Sequence, residues 1–494
     1  MYVNQVGPGP ESHALPQPSD SRLGRLLAAA GDDSEPESEA LLSKQGRALV
    51  VNDPSLALTS RLDLIEAAES SIDVQYFIWQ NDPSGVLVID RMLAAADRGV
   101  RIRALIDDVQ LEGLVSKINA ITQHPNIEVR IFNPFSIRFG MELRLFRLAE
   151  FAIDGNRLNH RMHNKLLVAD NQVAIMGGRN IGDDYFGLSQ RRNFVDTDLM
   201  LAGPVVPQLS AGFDTYWNSG WAVPSDDLLQ LELASVALDA VRERIRDRLA
   251  EHPELTTLVS TDRVEALAER LLGAHRLENA QPVVDDPDVA WGERPDQVAD
   301  VLTELAESSQ RKILIVSPYL VLTPTLLALG QSLNDRGVEV QVITNSLASN
   351  DVVIAHAAYA RFRQSILDAG TELYEFRGDP EIALDQPGEH VSLHSKYILF
   401  DEDTVFLGSL NLDPRSLYLN TELGVILRSE SLVQELTGHF ARLTNGDNAW
   451  RVLDAERGFQ WHSSAGTIEQ QPAKSAWQRF RSWLMMFLPL TSQI

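Results

Sequence analysis

Apolar and polar positions along the chain follow one succession of patterns that occurs twice. In the first copy, the mostly apolar run Ile72–Trp79 precedes a segment of helical spacing that ends at Asp97–Gly99, and a second apolar run, Arg101–Asp107, follows. The second copy consists, in the same order, of Lys312–Val316, Asp335–Gly337 and Glu339–Thr344. Short apolar runs that alternate with helices indicate α/β units. The sequence therefore predicts an α/β protein of two similar halves, each with a mainly parallel sheet.

The same patterns divide the chain into five segments. Residues 1–44 are polar and predicted to be a mostly disordered leader. Leucine and valine recur at helical spacing between residues 226 and 280, with charged residues between them, which predicts a helical insertion of structural function. The predicted segments are the leader 1–44, the first half 45–225, the insertion 226–290, the second half 291–450 and a tail 451–494.

Composition restricts the kinds of site that the chain can hold. The 43 Lys and Arg residues against 69 Asp and Glu residues give a formal net charge of −26, which argues against a general nucleic-acid-binding protein. An anionic substrate therefore needs a local cluster of positive groups. The absence of cysteine excludes disulfides, thiolate catalysis and cysteine-based zinc sites.

Each half contains the same extended motif built on His-x-Lys. The first motif begins with His163 and Lys165 and continues with Asp170, Gly177 and Asn180. The second motif consists, at identical spacings, of His394, Lys396, Asp401, Gly408 and Asn411. A single His-x-Lys occurs by chance in many proteins, but two copies of the whole pattern in two similar halves indicate a common function. We therefore predict that the halves pack together around one shared active site.

The residue types of the motifs suit a phosphodiester. Side chains two residues apart in a strand lie on one face, so each histidine and its lysine are predicted to point to the same side. Fixed donors and positive charge stabilise phosphate oxygens. Histidine serves as a nucleophile and as an acid or base near neutral pH, so one imidazole is expected to form a phosphohistidine and the other to protonate the leaving oxygen. The predicted substrate-binding residues are Asn180, Asn411, Gly178 and Ser409.

Carboxylates near the motifs are expected to position the histidines. A nucleophilic imidazole needs an acceptor on its second nitrogen, and Asp198 and Glu422 occupy similar places downstream of the two motifs. We expect these two residues to orient His163 and His394. Since the lysines supply positive charge and no clear carboxylate cluster accompanies the motifs, we expect no metal ion and no other cofactor.

Other candidate residues are given structural interpretations. Asp170 and Asp401 belong to the catalytic motifs, but they lie at predicted strand ends and are expected to fix turns. Three further histidines, His356, His390 and His462, are interpreted as residues without a catalytic role.

The two extended motifs resemble the HKD motifs of the phospholipase D superfamily, whose fold is two α/β halves that share one site. Further stretches around the motifs are similar to bacterial cardiolipin synthases of the C type, from about residue 45 to the C-terminus. These stretches are Gln75–Trp79, Phe132–Phe135, Arg161–Lys165, Gly178–Phe186 and Leu412–Ser416. The resemblance implies a phosphatidyltransferase that makes cardiolipin from phosphatidylglycerol and a second phospholipid, with phosphatidylethanolamine as a candidate. It also implies that His163 is the nucleophile and His394 the general acid, an order that the residues alone leave open.

Two other functions stay open at this point. The motifs do not separate transfer from hydrolysis, so a phospholipase D-type hydrolase, nuclease or phosphodiesterase is an alternative, although the acidity of the chain argues against a nucleic-acid partner. A non-catalytic membrane scaffold is the second alternative. Nothing in the sequence identifies an accessory protein.

The tail combines aromatic and basic residues at helical spacing. Its predicted apolar face consists of Trp477, Phe480, Leu484 and Phe487, and its basic residues are Lys474, Arg479 and Arg481. This composition suits a helix that lies in the interface of a bilayer, and the alternative is a helix docked on the protein's own core. The first residues, Met1–Pro18, lack the pattern of a secretory signal. We therefore expect a peripheral protein on the cytoplasmic face of the bacterial inner membrane.

Overall fold

The computed structural model describes residues 9–18, 20–29, 46–111, 115–135, 155, 157–229, 237–258, 262–288, 297–383, 386–456 and 458–486. Within these residues the strands of the first half are β1 (Arg47–Val51), β2 (Ser71–Tyr76), β3 (Arg101–Asp107), β4 (Ile127–Phe132), β5 (Arg161–Met162), β6 (Lys165–Ala169), β7 (Val173–Gly177), β8 (Arg192–Val195), β9 (Asp198–Ala202), β10 (Ala222–Pro224) and β11 (His275–Arg276). Nine of them form one sheet in the order β10-β4-β3-β2-β6-β7-β9-β1-β11.

The second half is built on a similar sheet. Its strands are β12 (Asn279–Val284), β13 (Lys312–Val316), β14 (Glu339–Asn345), β15 (Glu372–Phe376), β16 (His390–Leu393), β17 (Tyr397–Phe400), β18 (Thr404–Gly408), β19 (Asn420–Thr421), β20 (Leu423–Arg428), β21 (Ala449–Ala455), β22 (Gly458–Ser463) and β23 (Gly466–Ile468). Ten of them form a sheet in the order β12-β20-β18-β17-β13-β14-β15-β21-β22-β23. The predicted α/β class and the two similar halves are confirmed.

The prediction of a mainly parallel sheet is wrong. Only β2-β3-β4 and β13-β14-β15 are parallel among the described strands of the two sheets. The motif strands β6 and β17 each pair antiparallel with the strand that follows them. The connecting turns contain Asp170 and Asp401, both at φ 51°, and a turn of this kind reverses the chain where a parallel neighbour would need a long crossover.

Helices cover the sheets and fill the space between them. Within the described residues the helices of the first half and the insertion are α1 (Arg22–Ala29), α2 (Pro54–Ala67), α3 (Pro83–Asp97), α4 (Val115–Ile121), α5 (Val205–Trp217), α6 (Ser225–Leu229), α7 (Leu238–Ala250), α8 (Pro253–Thr256) and α9 (Asp262–Leu272). The later helices are α10 (Gln297–Ser308), α11 (Pro324–Asp335), α12 (Val353–Ala360), α13 (Arg363–Asp368), α14 (Pro414–Tyr418), α15 (Glu430–Thr444) and α16 (Ala476–Met485). α3 and α11 end before Gly99 and Gly337, whose positive φ angles of 98° and 78° suit a helix C-terminus.

One apolar core joins the two halves. It contains inward-facing residues of both sheets, such as Leu166 and Leu399, together with buried residues of α5 and α15, such as Phe213 and Phe440. Burial of this shared core fixes the halves against each other, because separating them would expose its apolar surface to water. Separate clusters lie under the outer helices of each half.

The observed segments differ from the predicted boundaries in three places. Residues 9–18 and α1 depart from the predicted disordered leader: Leu23 and Leu27 are buried, and the Arg103 guanidinium donates to the Ser12 carbonyl over 3.0 Å. Composition alone does not reveal such contacts; the remaining leader residues lie outside the described residues. The described residues of the insertion are mainly helical as far as α9, but β12 already belongs to the second sheet. In the tail, β21 to β23 extend that sheet.

Candidate active site

Two short parallel ladders connect the halves and deliver the histidines. β5 pairs with β19, and the His163 amide, directly after β5, donates to the Thr421 carbonyl over 2.9 Å. β16 pairs with β8, and the His394 amide, directly after β16, donates to the Val195 carbonyl over 2.8 Å. Each ladder therefore places a histidine of one half close to the end of a strand of the other half. Glu422 follows β19, and Asp196 follows β8.

Each histidine meets a carboxylate of the opposite half. Nδ1 of His163 lies 2.9 Å from Oε2 of Glu422, and Nδ1 of His394 lies 2.6 Å from Oδ2 of Asp196. Both carboxylates are fully buried. Because Nδ1 is engaged, the nitrogen left to reach a substrate is Nε2, for which the described residues provide no hydrogen-bond partner in either ring. We call these two pairs the His–carboxylate pairs.

The two motif lysines are buried beside the histidines. Nζ of Lys165 donates to the His163 carbonyl and Nζ of Lys396 to the His394 carbonyl, each over 2.5 Å. Burial lowers the pKa of Lys396 to about 8. Burial, with repulsion from Lys396, holds the pKa of Lys165 well below its ordinary value, although Glu422 opposes this shift. The two ammonium groups thus lie close enough to repel each other, as donors aimed at one anion would.

Burial favours the neutral form of both histidines. Burial lowers the pKa of His163 to about 4, against the attraction of Glu422. Burial, followed by repulsion from Lys396 and Lys165, holds the pKa of His394 well below its ordinary value, and His163 adds to that repulsion. The mutual effects show that both histidines and both lysines belong to one electrostatic cluster. A neutral imidazole has a free lone pair on Nε2, which nucleophilic attack requires.

Aromatic rings form the walls around the imidazoles. The rings of Phe77 and His163 are 4.9 Å apart, and the His394 ring lies 4.9 Å from Phe194 and 5.3 Å from Tyr185. These rings limit access of water to the imidazoles and so strengthen electrostatic interactions within the site. The sequence-based reasoning did not assign them a role.

The prediction that Asp198 orients a histidine is wrong. The Asp198 carboxylate accepts from Arg61 over 2.9 Å and from Arg179 over 3.3 Å. Glu422 does orient a histidine, but it is His163 rather than His394. The reason is the strand register: Gly177 pairs with Asp198, whereas Gly408 pairs with Gly424.

That register makes Asp196 the counterpart of Glu422. Each lies two residues before the residue that pairs with its motif glycine. In the sequence, aligning Thr197 with Thr421 places Asp198 opposite Glu422. This alignment differs by two residues from the strand register, which places Asp196 opposite Glu422. Asp196 was therefore missed, and the one signal that could have found it is its place directly after the strand-like Arg192–Val195.

Gly178 and Ser409, predicted to bind substrate, lie against the two carboxylates. A Cβ added to Gly178 would collide with the Asp196 side chain, so only glycine leaves room for this carboxylate. Oγ of Ser409 donates to Oε2 of Glu422 over 2.5 Å. The two residues occupy the same motif position, and each acts on the carboxylate of its own half.

The two motif asparagines have different surroundings. Oδ1 of Asn180 accepts from the Ile78 amide over 3.0 Å, and Nδ2 donates to the Tyr185 hydroxyl over 2.9 Å. Asn180 therefore holds a ring that contacts His394. Asn411 is buried, and its Oδ1 has no hydrogen-bond partner within the described part of the chain. Asn411 is thus the better placed of the two to contact a ligand directly.

Asp170 and Asp401 lie at the far ends of their strands from the histidines. The Asp170 carboxylate accepts from the amides of Ser70 and Ser71 over 2.7 and 2.9 Å. Asp401 accepts from the amides of Arg311 and Lys312 over 2.8 and 3.0 Å. Both carboxylates tie the turn after the motif strand to the start of the neighbouring strand, so neither reaches the reacting centre.

The remaining histidines lie in other surroundings. Nε2 of His356 is 2.7 Å from the Gln471 side-chain amide, and that of His462 is 3.3 Å from Oε1 of Gln460. His390 begins β16, four residues before His394.

Comparison with known proteins matches this chain to one family. The family described as "Cardiolipin synthase, PLD-like domain" matches residues 62–217 and 302–444. The chain is 38% identical over 460 residues to cardiolipin synthase C of Escherichia coli (strain K12), covering 88% of this chain and 93% of that protein. It is 25% identical over 382 residues to cardiolipin synthase 2 of Bacillus anthracis, covering 77% and 61%.

A solved structure supports the fold. The crystal structure of phosphatidylserine synthase from Haemophilus influenzae Rd KW20 matches with a TM-score of 0.55 at 15% sequence identity, over 82% of this chain and 90% of that chain. At this identity the likeness concerns the fold alone.

Proposed function

The chain belongs to the cardiolipin synthase family with a phospholipase D-like domain, and from this premise we propose that it is a phosphatidyltransferase that makes cardiolipin through a phosphohistidine. The observation that carries the proposal is that both His–carboxylate pairs form across the two halves. Two buried lysines lie beside the histidines. The proposed substrates are phosphatidylglycerol and a second phospholipid, which includes phosphatidylethanolamine as a candidate.

In the first step, Nε2 of His163 attacks the phosphorus of the donor lipid. Glu422 accepts from Nδ1 and stabilises the positive charge that the ring gains when the N–P bond forms. His394 donates its Nε2 proton to the leaving alcohol as the P–O bond breaks. Asp196, 2.6 Å from Nδ1 of His394, accepts from the Nδ1–H and so stabilises the doubly protonated ring, whose Nε2–H faces the substrate.

In the second step the roles of His394 reverse. It takes the proton from the primary hydroxyl of a phosphatidylglycerol, whose oxygen attacks the phosphorus and displaces His163. Lys165 and Lys396 hold the non-bridging oxygens in both steps. Because the site needs only a second alcohol in place of the first, the same residues serve transfer onto a lipid or onto water.

Substrate binding favours uptake of a solvent proton by His394, which then donates that proton to the leaving alcohol. Burial, followed by repulsion from Lys396 and Lys165, holds the pKa of this ring well below its ordinary value. A phosphodiester anion between them cancels much of that repulsion and raises the pKa of His394 toward the range of a general acid. The site thus keeps His163 neutral for attack and charges His394 only when a phosphate is present.

The test is incubation of the purified protein with labelled phosphatidylglycerol in mixed micelles, with and without phosphatidylethanolamine. Cardiolipin together with a released small alcohol is expected. Phosphatidic acid without cardiolipin would identify a hydrolase, and turnover of a nucleic acid alone would identify a nuclease. A His163→Ala variant that keeps full turnover would refute the proposed chemistry.

We also propose that α16 brings the site to a membrane surface. Among the described residues, no helix is long and apolar enough to cross a bilayer. α16 instead docks through Gln478, whose Nε2 donates to the Leu347 carbonyl over 2.8 Å. Its outward side carries large apolar residues with these exposed fractions: Trp477 64%, Leu484 54%, Trp483 53% and Phe480 48%. Phe487, assigned to the same face by the sequence, lies outside the described residues.

The position of this helix supports a role at the mouth of the site. Lys474, just before α16, has its pKa lowered by partial burial and by repulsion from Arg192. The Arg192 guanidinium lies 5.5 Å from the centre of the Phe194 ring, which contacts His394. An aromatic face in the headgroup region beside a basic rim would present anionic lipid headgroups to the histidines.

A further inference from the structure

The two halves differ in how their equivalent helices are covered. α3 follows β2 in the first half and α11 follows β13 in the second. Most of α3 is buried, including Val86, Leu87 and Leu93, because α7 and α8 of the insertion pack over it. In α11, Leu333 is the buried residue, and Leu326 and Leu329 are only partly buried. Within the described residues, no helix of the second half packs over α11 as α7 of the insertion packs over α3.

An apolar cavity lies beneath this uncovered helix. It has a volume of about 180 Å³ and lies between α10, α11 and the outer face of the second sheet. Its lining includes Leu302, Leu326, Leu329, Ile315, Ile398 and Phe400. The corresponding space in the first half, beneath α3, has a volume of about 20 Å³ because side chains such as Met92 and Ile118 fill it. The second half thus has a cavity where the first half has a packed core. We call it the α11 cavity.

The loop of the second motif that carries Asn411 forms part of the wall of the α11 cavity. Leu410 and Leu412 line it, and they flank Asn411, whose Oδ1 has no hydrogen-bond partner among the described residues. Leu412 is held by a bridge to Leu320, which also lines the cavity. From this loop the cavity extends along β17 to Phe400, next to Asp401 at the far end of the motif strand. One end of the cavity therefore lies against the loop that carries Asn411, and the other lies at Phe400.

We propose that the α11 cavity binds a segment of one acyl chain of a phospholipid whose phosphate lies between His163 and His394. The proposal rests on the proposed function and adds to it a site that selects the lipid by its chain. A narrow apolar space that runs beneath a helix admits a thin, flexible hydrocarbon, whereas the broad surface of another protein cannot enter it. Continuity with the Asn411 loop gives that hydrocarbon a headgroup position at its outer end.

Gly330 offers a way to fill the cavity without disturbing the fold. It lines the cavity within α11, and a Cβ added there would lie 3.8 Å from the nearest atom, Cβ of Ala369. Gly330→Leu should therefore be accommodated and should place four carbon atoms in the cavity. Gly438, inside α15, is the matched control: it has no atom within 4 Å of an added Cβ and lies outside the cavity. Both substitutions replace a helical glycine by a good helix former.

The experiment compares dioleoyl- with dihexanoyl-phosphatidylglycerol in the same detergent micelles. Gly330→Leu should lower kcat/KM at least about tenfold for the long-chain lipid, because each methylene kept from burial costs about fourfold in affinity. It should leave the short-chain lipid nearly unchanged, and Gly438→Leu should alter neither. Equal effects on both lipids, or no effect on either, would overturn the proposal. A change of oligomeric state in Gly330→Leu would also overturn it, because that result would indicate that a second copy of the chain binds this face.

A binding measurement separates this proposal from the proposed function. In a His163→Ala background, which removes turnover, a phosphatidylglycerol with a fluorescent acyl chain should bind, and Gly330→Leu should weaken its binding by a similar factor. Unchanged binding would overturn the acyl-chain site even if cardiolipin forms. If Gly330→Leu weakens binding but the unmodified protein makes no cardiolipin from any lipid, the proposed function is overturned. The acyl-chain site is then still supported.

Discussion

Oδ2 of Asp196 lies 2.6 Å from Nδ1 of His394, although the two residues are 198 positions apart and belong to different halves. Glu422 and His163 form the mirrored relationship across 259 positions. Each half therefore supplies the histidine of one pair and the carboxylate of the other. Neither half contains a complete pair of its own.

The role of Asp196 can be separated from that of Asp198 by two amide substitutions. Asp196→Asn should lower kcat about 10²–10⁴-fold with little change in KM, because the His394 ring loses the acceptor that fixes its tautomer. Asp198→Asn should instead lower the melting temperature, since Arg61 and Arg179 lose a buried partner. Steady-state kinetics and thermal unfolding distinguish the two. A larger loss of kcat in folded Asp198→Asn than in Asp196→Asn would contradict the assignment.

The order of the two histidines can be determined by trapping. His394→Asn should accumulate a phosphatidyl adduct on His163, because attack leaves an intermediate whose breakdown lacks a base. Mass spectrometry of protein quenched in acid-free buffer identifies the modified peptide. The complementary His163→Asn variant is the control and should show no adduct. An adduct on His394 in that control would reverse the proposed order.

The pH dependence follows from Lys396. Burial lowers its pKa to about 8 from the ordinary 10.5, and an ammonium group is charged below its pKa. The positive charge is therefore present at pH 7 and is lost as the pH rises through about 8. We expect kcat/KM to fall about tenfold per pH unit above that point. The pKa of His163, about 4, predicts no acid loss from this residue until near that pH. A profile that stays flat to pH 10 would contradict this.

Asp170 should matter for stability rather than for chemistry. Its buried carboxylate accepts from the backbone amides of Glu69, Ser70 and Ser71. Asp170→Asn should lower the free energy of unfolding by about 1–3 kcal/mol, the range for a hydrogen-bonded charged acceptor. Denaturant unfolding measures the loss, and activity per folded molecule should be near normal. Asp401→Asn, at a more exposed turn, should cost less. Abolished turnover in folded Asp170→Asn would show a direct catalytic role.

The aromatic face of α16 predicts a separable effect on membrane binding. Replacing Trp477, Phe480 and Trp483 together by serine should weaken binding to anionic vesicles at least about tenfold, because these rings would no longer enter the interface. Activity on a short-chain soluble lipid should change little. Ile468→Ser, which removes a single exposed apolar side chain outside the helix, serves as the control. Unchanged vesicle flotation of the triple variant would remove the interfacial role.

The sequence revealed the parts of the fold that rest on local pattern. The duplicated succession of strand and helix and the repeated His-x-Lys motifs predicted two halves around one site, because periodicity and spacing are local properties. The antiparallel pairing after each motif strand was missed, since the turn at Asp170 reverses the chain within a few residues. The exchange of carboxylates between halves was missed for a different reason, because it depends on strand register. Aligning Thr197 with Thr421 predicts a register that the structure does not have.

The short ladders β5–β19 and β8–β16 have a consequence for how the enzyme fails under stress. A shift of a few tenths of a nanometre between the halves would separate both catalytic hydrogen bonds at once while leaving each sheet intact. Turnover should therefore disappear in mild denaturant before circular dichroism changes. Turnover therefore depends on the packing of the two halves against each other. It is expected to decrease when they separate, before either half unfolds.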